Sequence, residues 1–195
     1  TGTILIEPIF DKLTYFADNG LALAKKDGKY GFIDRSGTTM IPFNFENANG
    51  FKYDLAAVKL NNKWGFIDKS ENLIIQPYYS LVSDFKDDRA IVVRDGKFGL
   101  IDLEGNEVLD TSWQHVLRIK TGNYRVKRMD GRVGLVNSQG SFILRPAYDR
   151  IVDLGGRILV STHEEWGMLA YSGEQILKIN HRDINVSGSY TMVKE

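Results

Sequence analysis

The chain has 195 residues, 43% of them hydrophobic and 26% charged, with a formal net charge of zero and no cysteine. That balance suits one domain or one repeat array with a sizeable core and argues against a disordered chain. It excludes disulfides, thiolate metal sites and cysteine nucleophiles, offers no global pull toward nucleic acid or an anionic membrane, and contains no apolar run near the roughly 18 residues of a transmembrane helix.

No signal peptide is visible, and the lack of cysteine does not fix a compartment: cytoplasm and cell envelope are both compatible. The chain opens at Thr1-Gly2 without an initiator Met, so a trimmed or mature fragment of a longer protein is the expectation.

One short string returns along the chain. Tyr30-Gly31-Phe32-Ile33-Asp34 is followed by Trp64-Gly65-Phe66-Ile67-Asp68, Phe98-Gly99-Leu100-Ile101-Asp102, Val133-Gly134-Leu135-Val136-Asn137 and Trp166-Gly167-Met168-Leu169-Ala170. The glycines at 31, 65, 99, 134 and 167 stand 34, 34, 35 and 33 residues apart, which is the signature of a repeat architecture. The repeats run 1–36, 37–70, 71–104, 105–139 and 140–172, with a partial sixth at 173–195, as one array.

Each repeat carries the same elements in order. First comes a short apolar run rich in β-branched residues, such as Ile4-Leu5-Ile6, Leu73-Ile74-Ile75 or Phe142-Ile143-Leu144, predicted to be a strand. Pro8, Pro42, Pro77 and Pro146 follow four of these runs; lacking a ladder donor, proline is expected to end the strand. An aromatic residue comes next (Phe10, Phe45, Tyr79, Trp113, Tyr148), then a second short strand, as at 81–85 or 150–154. A third strand is predicted at 21–25, 55–59, 89–93, 124–128 and 157–161. Asp27-Gly28, Asn61-Asn62, Asp95-Gly96 and Asp130-Gly131 then read as two-residue type I′ hairpin loops, where positive φ favours these residue types. His163-Glu164 breaks that rule and predicts a looser turn. The aromatic-glycine string is the fourth strand, closed by a turn in which Asp34, Asp68, Asp102 or Asn137 accepts backbone amides. No helical period persists anywhere.

Successive strand residues face opposite sides, so each motif glycine leaves a bare patch behind its aromatic neighbour. The patch is expected to receive a side chain from a neighbouring repeat. The next two residues are both apolar, which predicts a strand covered on both faces.

Lys63-Trp64-Gly65-Phe66-Ile67-Asp68 resembles the signature of the WG-repeat (KWG-repeat) family of bacterial β-repeat proteins. Lys29-Tyr30-Gly31 and Lys97-Phe98-Gly99 are close variants; Arg132-Val133-Gly134 and Glu165-Trp166-Gly167 depart further. The resemblance extends over essentially the whole chain. It implies a repeat module, often attached to other domains, with no common enzymatic activity.

The fold expected is all-β, a tandem array of antiparallel units. An open solenoid-like stack is favoured, because four strands fit tightly into about 34 residues and the sixth repeat stops early. A five- or six-bladed propeller-like ring is the alternative.

The strongest departure from the repeat lies in the fourth unit. Counting back from the motif glycine, Arg125 and Lys127 occupy slots that hold Ala22 and Ala24, Ala56 and Val58, Ala90 and Val92, or Ile158 and Val160 elsewhere. Residues 105–139 carry six basic and three acidic side chains, a net of +3, whereas 71–104 carry four basic and seven acidic, a net of −3. The bland reading is mutual neutralisation or solvated surface. The sharper one is an anionic-partner patch of Arg125, Lys127 and Arg128.

The recurrent Tyr30, Trp64, Phe98 and Trp166 read as core. Trp113 and Tyr148 are better candidates for exposed, ligand-facing aromatics. The carboxylates Asp34, Asp68 and Asp102 read as turn caps rather than a calcium ladder, and His115, His163 and His181 lack metal-ligand spacing. No metal or cofactor is expected, and no nucleophile elbow or phosphate loop is present.

The function expected is a non-catalytic scaffold that binds another protein. A glycan or cell-envelope-binding module is the alternative, and an enzyme built from distant loops, with His115 or His181 meeting carboxylates, is third.

Overall fold

The computed structural model describes residues 9–187 and 190–194, and contains no helix among them. The first predicted strand, Ile4-Leu5-Ile6 with Pro8, lies outside the described residues. Strands β1 (Lys12–Leu13), β2 (Ala22–Lys26), β3 (Lys29–Ile33) and β4 (Thr39–Phe45) form the first four-stranded sheet, paired in chain order. The second holds β5 (Asn47–Ala48), β6 (Ala56–Leu60), β7 (Lys63–Ile67) and β8 (Leu73–Tyr79); the third β9 (Leu81–Val82), β10 (Ala90–Arg94), β11 (Lys97–Ile101) and β12 (Glu107–Trp113). The fourth holds β13 (His115–Arg118), β14 (Tyr124–Lys127), β15 (Val133–Val136) and β16 (Phe142–Tyr148); the fifth β17 (Arg150–Asp153), β18 (Arg157–Thr162), β19 (Glu165–Ala170) and β20 (Gln175–His181). A hairpin of β21 (Asp183–Ser187) and β22 (Tyr190–Lys194) follows. The chain divides into two compact bodies, Thr1–Gly96 with Leu100–Glu107, and Lys97–Gly99 with Val108–Glu195.

Four strands do fit each repeat, because the first is only two to four residues long. The strand-count argument for an open array therefore falls away. The turns near 37, 71, 105, 140 and 173 lie inside sheets, so the apolar run of one repeat pairs with the aromatic-glycine strand of the repeat before it.

Within each body, consecutive sheets bury apolar faces against each other. Leu23, Phe32, Ile41 and Phe45 of the first sheet meet Ala48, Ala56, Val58 and Ile67 of the second. Ala57, Phe66, Ile75 and Tyr79 of the second then meet Ala90, Val92 and Ile101. In the C-terminal body, Val133, Leu135 and Leu144 of the fourth sheet meet Ile151, Ile158, Val160 and Leu169 of the fifth. The residue after each motif glycine is almost wholly buried: Phe32, Phe66, Leu100, Leu135 and Met168 are at most 1% exposed. Burying one such side chain stabilises the fold by about 1.5–3 kcal/mol. The motif aromatics sit differently from expectation. Tyr30, Trp64, Phe98 and Trp166 are only half-buried, and Lys25 Nζ lies 5.3 Å from the Tyr30 ring centroid. Their polar tips or large area suit the margin of a seam better than its centre.

The prolines do not end their strands. Pro42, Pro77 and Pro146 lie inside β4, β8 and β16. Each is the last strand of its sheet, and a double bulge carries the chain past the missing donor. In the first sheet Tyr30 faces Phe45 and Phe32 faces Ile41, two residues against four, and the same offset recurs for Trp64 and Tyr79, Val133 and Tyr148, and Trp166 and His181.

The bulged strand of the following repeat occupies the bare face of each motif glycine, with backbone nearest at Gly31, Gly65 and Gly134 and a side chain nearest at Gly99 and Gly167. A Cβ on Gly31 would stand 2.7 Å from the Ile41 carbonyl oxygen and 2.9 Å from that of Pro42; on Gly134, 2.9 Å from the Leu144 oxygen and from Pro146. At Gly167 the Ile179 side chain stands 2.6 Å away and its backbone 2.9 Å. Backbone cannot retreat without breaking the pairing that holds it.

Two turn expectations change. His163 and Glu164 adopt φ of 51° and 69°, the conformation of Asp27, Asn61 and Asn62, so this hairpin is as tight as the others. Its tip is held by Asp149 Oδ2, which accepts the His163 amide at 2.7 Å. Asp130-Gly131 instead belongs to a longer loop at 128–132. The carboxylates after the motif do cap turns: Asp68 Oδ1 accepts the amides of Ser70 and Asn72 at 2.8 and 2.9 Å, and its pKa is held below the usual value, first by the Asn72 side chain.

Gly99→Val tests the close approach. Its Cβ would lie 2.7 Å from the Thr111 methyl and 2.8 Å from the Leu109 oxygen. We expect a loss of about 3 kcal/mol in urea unfolding; a midpoint equal to wild type would refute the packing.

Candidate functional site

The fourth sheet contains a register change that spacing alone conceals. In the first, second and fifth sheets Ala24, Val58 and Val160 lie opposite the motif glycine. In the fourth, Val126 lies opposite Gly134 and Tyr124 opposite Val136. The hairpin between Lys127 and Val133 is one residue longer than that between Lys25 and Tyr30. A shift of one residue turns every side chain to the other face. Val126 and Tyr124, at 0% and 1% exposure, thus hold the buried slots, and Arg125 and Lys127 share the opposite, exposed face.

On that face Lys127 is ordinary: it faces Val133 much as Lys25 faces Tyr30 and Lys59 faces Trp64. Arg125 is the anomaly. It pairs with Leu135 where Leu23 pairs with Phe32, Ala57 with Phe66 and Leu159 with Met168, and those three apolar residues are buried.

A second substitution opens the same seam. Phe51 packs on Phe32, and Phe85 on Phe66, each pair with ring centroids 4.8 Å apart and planes at 57°. Both phenylalanines stand five residues before the first buried alanine of the next strand, Ala56 or Ala90. The residue five before Ile158 is Asp153. Between the fourth and fifth sheets, then, Leu–Phe–Phe becomes Arg125–Leu135–Asp153, and a cleft opens beside the apolar core that still joins them.

The result is a cleft of about 610 Å³, with Arg125, Lys127 and Arg150 on its walls beside His115, Asp149 and Trp166. A smaller opening of about 210 Å³ shares Arg125, Ile151 and Val152 with it and reaches Lys120 and Asp153. Arg125, Lys127 and Arg150 are exposed and make no ion pair among the described residues. Asp149 is already engaged, accepting Arg132 Nη1 at 2.8 Å and the His163 amide at 2.7 Å. The cleft is therefore lined by cations that have no ion-pair partner among the described residues. His115 rests on the Phe98 ring at 4.9 Å, and no hydrogen bond joins it to Asp149.

Of the residues singled out by sequence, Arg125 and Lys127 come together here and Arg128 does not: it is paired with Asp130, and each holds the other's charged form. Trp113 is not exposed. It is 8% accessible, its Nε1 donates to Asp110 Oδ1 at 3.1 Å, and its ring lies against Phe142. Tyr148 is half-buried, and burial pushes its phenol pKa up. Arg150 and Trp166 complete the cleft from the fifth repeat; only the position of Asp153 in a phenylalanine slot hinted at them.

Asp153 is held by a polar network. Its Oδ2 accepts Thr121 Oγ1 at 2.6 Å and Asn123 Nδ2 at 2.8 Å, while Oδ1 accepts the Gly155 amide at 2.9 Å and the Tyr171 hydroxyl. Burial works against this carboxylate, but the hydrogen bonds from Thr121, Tyr171, Asn123 and Gly155 outweigh it and hold the pKa below its ordinary value. Burial, then the bond to Asp153, pushes the Tyr171 phenol up to about 12.

A family model described as WG containing repeat matches residues 1–30, 30–64 and 64–98. No curated protein matches the sequence. Similar solved structures include Kluyveromyces lactis Hsv2p, 11% identical with a TM-score of 0.46 over 85% of this chain and 63% of that one. BamB from Moraxella catarrhalis is 12% identical with a TM-score of 0.41, over 91% and 68% of the two chains. PorZ, a surface component of the type-IX secretion system of Porphyromonas gingivalis, is 12% identical with a TM-score of 0.39, over 94% and 29%. The chain thus spans less than two thirds of Hsv2p and under a third of PorZ.

The Tyr171 bond predicts an alkaline limit. A phenol whose folded pKa exceeds its ordinary 10.0 adds stability below that pH and loses it as pH rises through about 12. Tyr171→Phe should remove the late-titrating phenol from an alkaline absorbance titration and flatten the fall in stability over that window. A stability–pH profile parallel to wild type would sink the assignment.

Proposed function

This chain belongs to the WG containing repeat family, and we propose that it is a non-catalytic scaffold, a module of a larger protein, that binds a protein partner carrying negative charge. The cationic cleft carries this reading. Elsewhere the described seams within each body are closed by apolar contacts, so sheet faces are committed to the fold and recognition falls to edges and loops. Between the fourth and fifth sheets an apolar core also forms, but beside it a cleft is lined by Arg125, Lys127 and Arg150, without an ion-pair partner among the described residues. Unpaired cations in a cleft favour an anionic partner and speed its approach.

The enzyme reading draws less support. His115 and Asp149 share the cleft, but the carboxylate is occupied by Arg132 and a backbone amide, which leaves it poorly placed as a base for His115. The glycan reading loses its leading residue with the burial of Trp113.

The double variant Arg125→Glu/Lys127→Glu should fold as wild type, since both side chains are exposed. It should bind the protein enriched by the wild-type chain roughly tenfold more weakly or worse, and the wild-type affinity should fall with salt. Affinity unchanged in the folded variant would refute the reading.

A further inference from the structure

We infer that the groove between the fourth and fifth sheets seats an extended peptide segment of the partner in which acidic residues alternate with apolar ones. This rests on the anionic-partner reading and specifies its chemistry.

Three observations lead there. First, the opening is elongated. The larger and smaller cavities share Arg125, Ile151 and Val152, so they continue one another along β17, the first strand of its sheet. Second, the cations have strand spacing. Arg125 and Lys127 stand two residues apart on one face of β14, roughly 6.7 Å along the strand. An extended peptide repeats its own side chains on one face at that interval. Carboxylates at alternate positions therefore match the two cations in register, with Arg150 lining the same cavity. Arg125 and Arg150 can each grip a carboxylate through two parallel N–H donors.

Third, the groove is not uniformly polar. Val152 is 43% exposed, and half-buried Trp166 lines the larger cavity. The intervening apolar side chains of such a peptide would cover this surface. The missing pieces are Leu23 and Phe51 of the first seam, replaced here by Arg125 and Asp153, so an incoming acidic-apolar strand supplies the charge and the apolar area that the chain itself lacks. Asp149 is neutralised by Arg132, whereas Asp153 keeps its charge on hydrogen bonds from neutral groups and lines only the smaller opening, so the acidic positions of the peptide belong in the larger one. A polyphosphate chain meets the charge but not the apolar surface, which favours a peptide over a nucleic acid.

The probes are fluorescein-labelled peptides: Gly-Glu-Val-Glu-Val-Glu-Gly, its Gln-for-Glu counterpart, and a block version with all Glu preceding all Val. Anisotropy is read with the whole chain. The alternating peptide should bind, with Kd at least tenfold below that of the Gln peptide and severalfold below that of the block peptide. Arg125→Gln and Arg150→Gln should each weaken it tenfold or so, whereas Arg128→Gln, already paired with Asp130 and outside the groove, should not. Equal binding of alternating and block peptides, or indifference to Arg125→Gln, would overturn the inference. So would an oligonucleotide that displaces the peptide and binds more tightly. If the peptides fail while the cellular partner still depends on Arg125 and Lys127, the peptide groove falls and the scaffold reading stands.

Discussion

The structure depends on apolar contact between the face of one sheet and the back of the next. Phe32 and Phe66 project from the third strand of their sheets onto small residues of the following one, Ala56 with Val58 and Ala90 with Val92. Large against small is what lets sheets approach closely and still fill space. The motif glycine serves the same end indirectly. By omitting a side chain it admits the bulged edge strand, which brings Ile41 or Ile75 into the seam. The proline belongs to that bulge: at a sheet edge the missing donor costs no ladder bond.

Against that constraint the seam between the fourth and fifth sheets is a local failure with a use. One extra residue in a hairpin puts Tyr124 and Val126 in the buried slots and Arg125 where other sheets bury an apolar side chain, and an aspartate stands in a phenylalanine slot. The chain compensates with the Thr121, Asn123 and Tyr171 hydrogen bonds to Asp153, which tie the two sheets where rings tie the others. What remains open is a polar-walled, partly apolar groove. Partly buried polar groups satisfied in this way favour one arrangement of the sheets, whereas the cations left outside the network are available to a ligand.

Much of this was legible in the sequence and some was hidden for definite reasons. The period, the all-β character, the tight turns at Asp27-Gly28 and Asn61-Asn62 and the two-sided burial of Phe66 and Ile67 follow from composition and alternation. Which strands pair does not, because an apolar run reads the same whether it opens one sheet or closes the one before. Arg125 and Lys127 were found as anomalies, but counting from Gly134 placed them in the wrong slots, since a loop one residue longer is invisible without the register. Trp113 looked available because it neighbours a loop, yet Asp110 accepts its indole proton and the seam covers its ring. Arg150 and Trp166 lie in another repeat and join the groove only through sheet stacking.

The seam account is tested most directly by Phe66→Ala. This side chain is 1% exposed and pairs with Phe85 and the third sheet, so its removal should cost about 3–5 kcal/mol in equilibrium urea unfolding. A loss below about 1 kcal/mol would mean that the sheets are held together by something other than these faces.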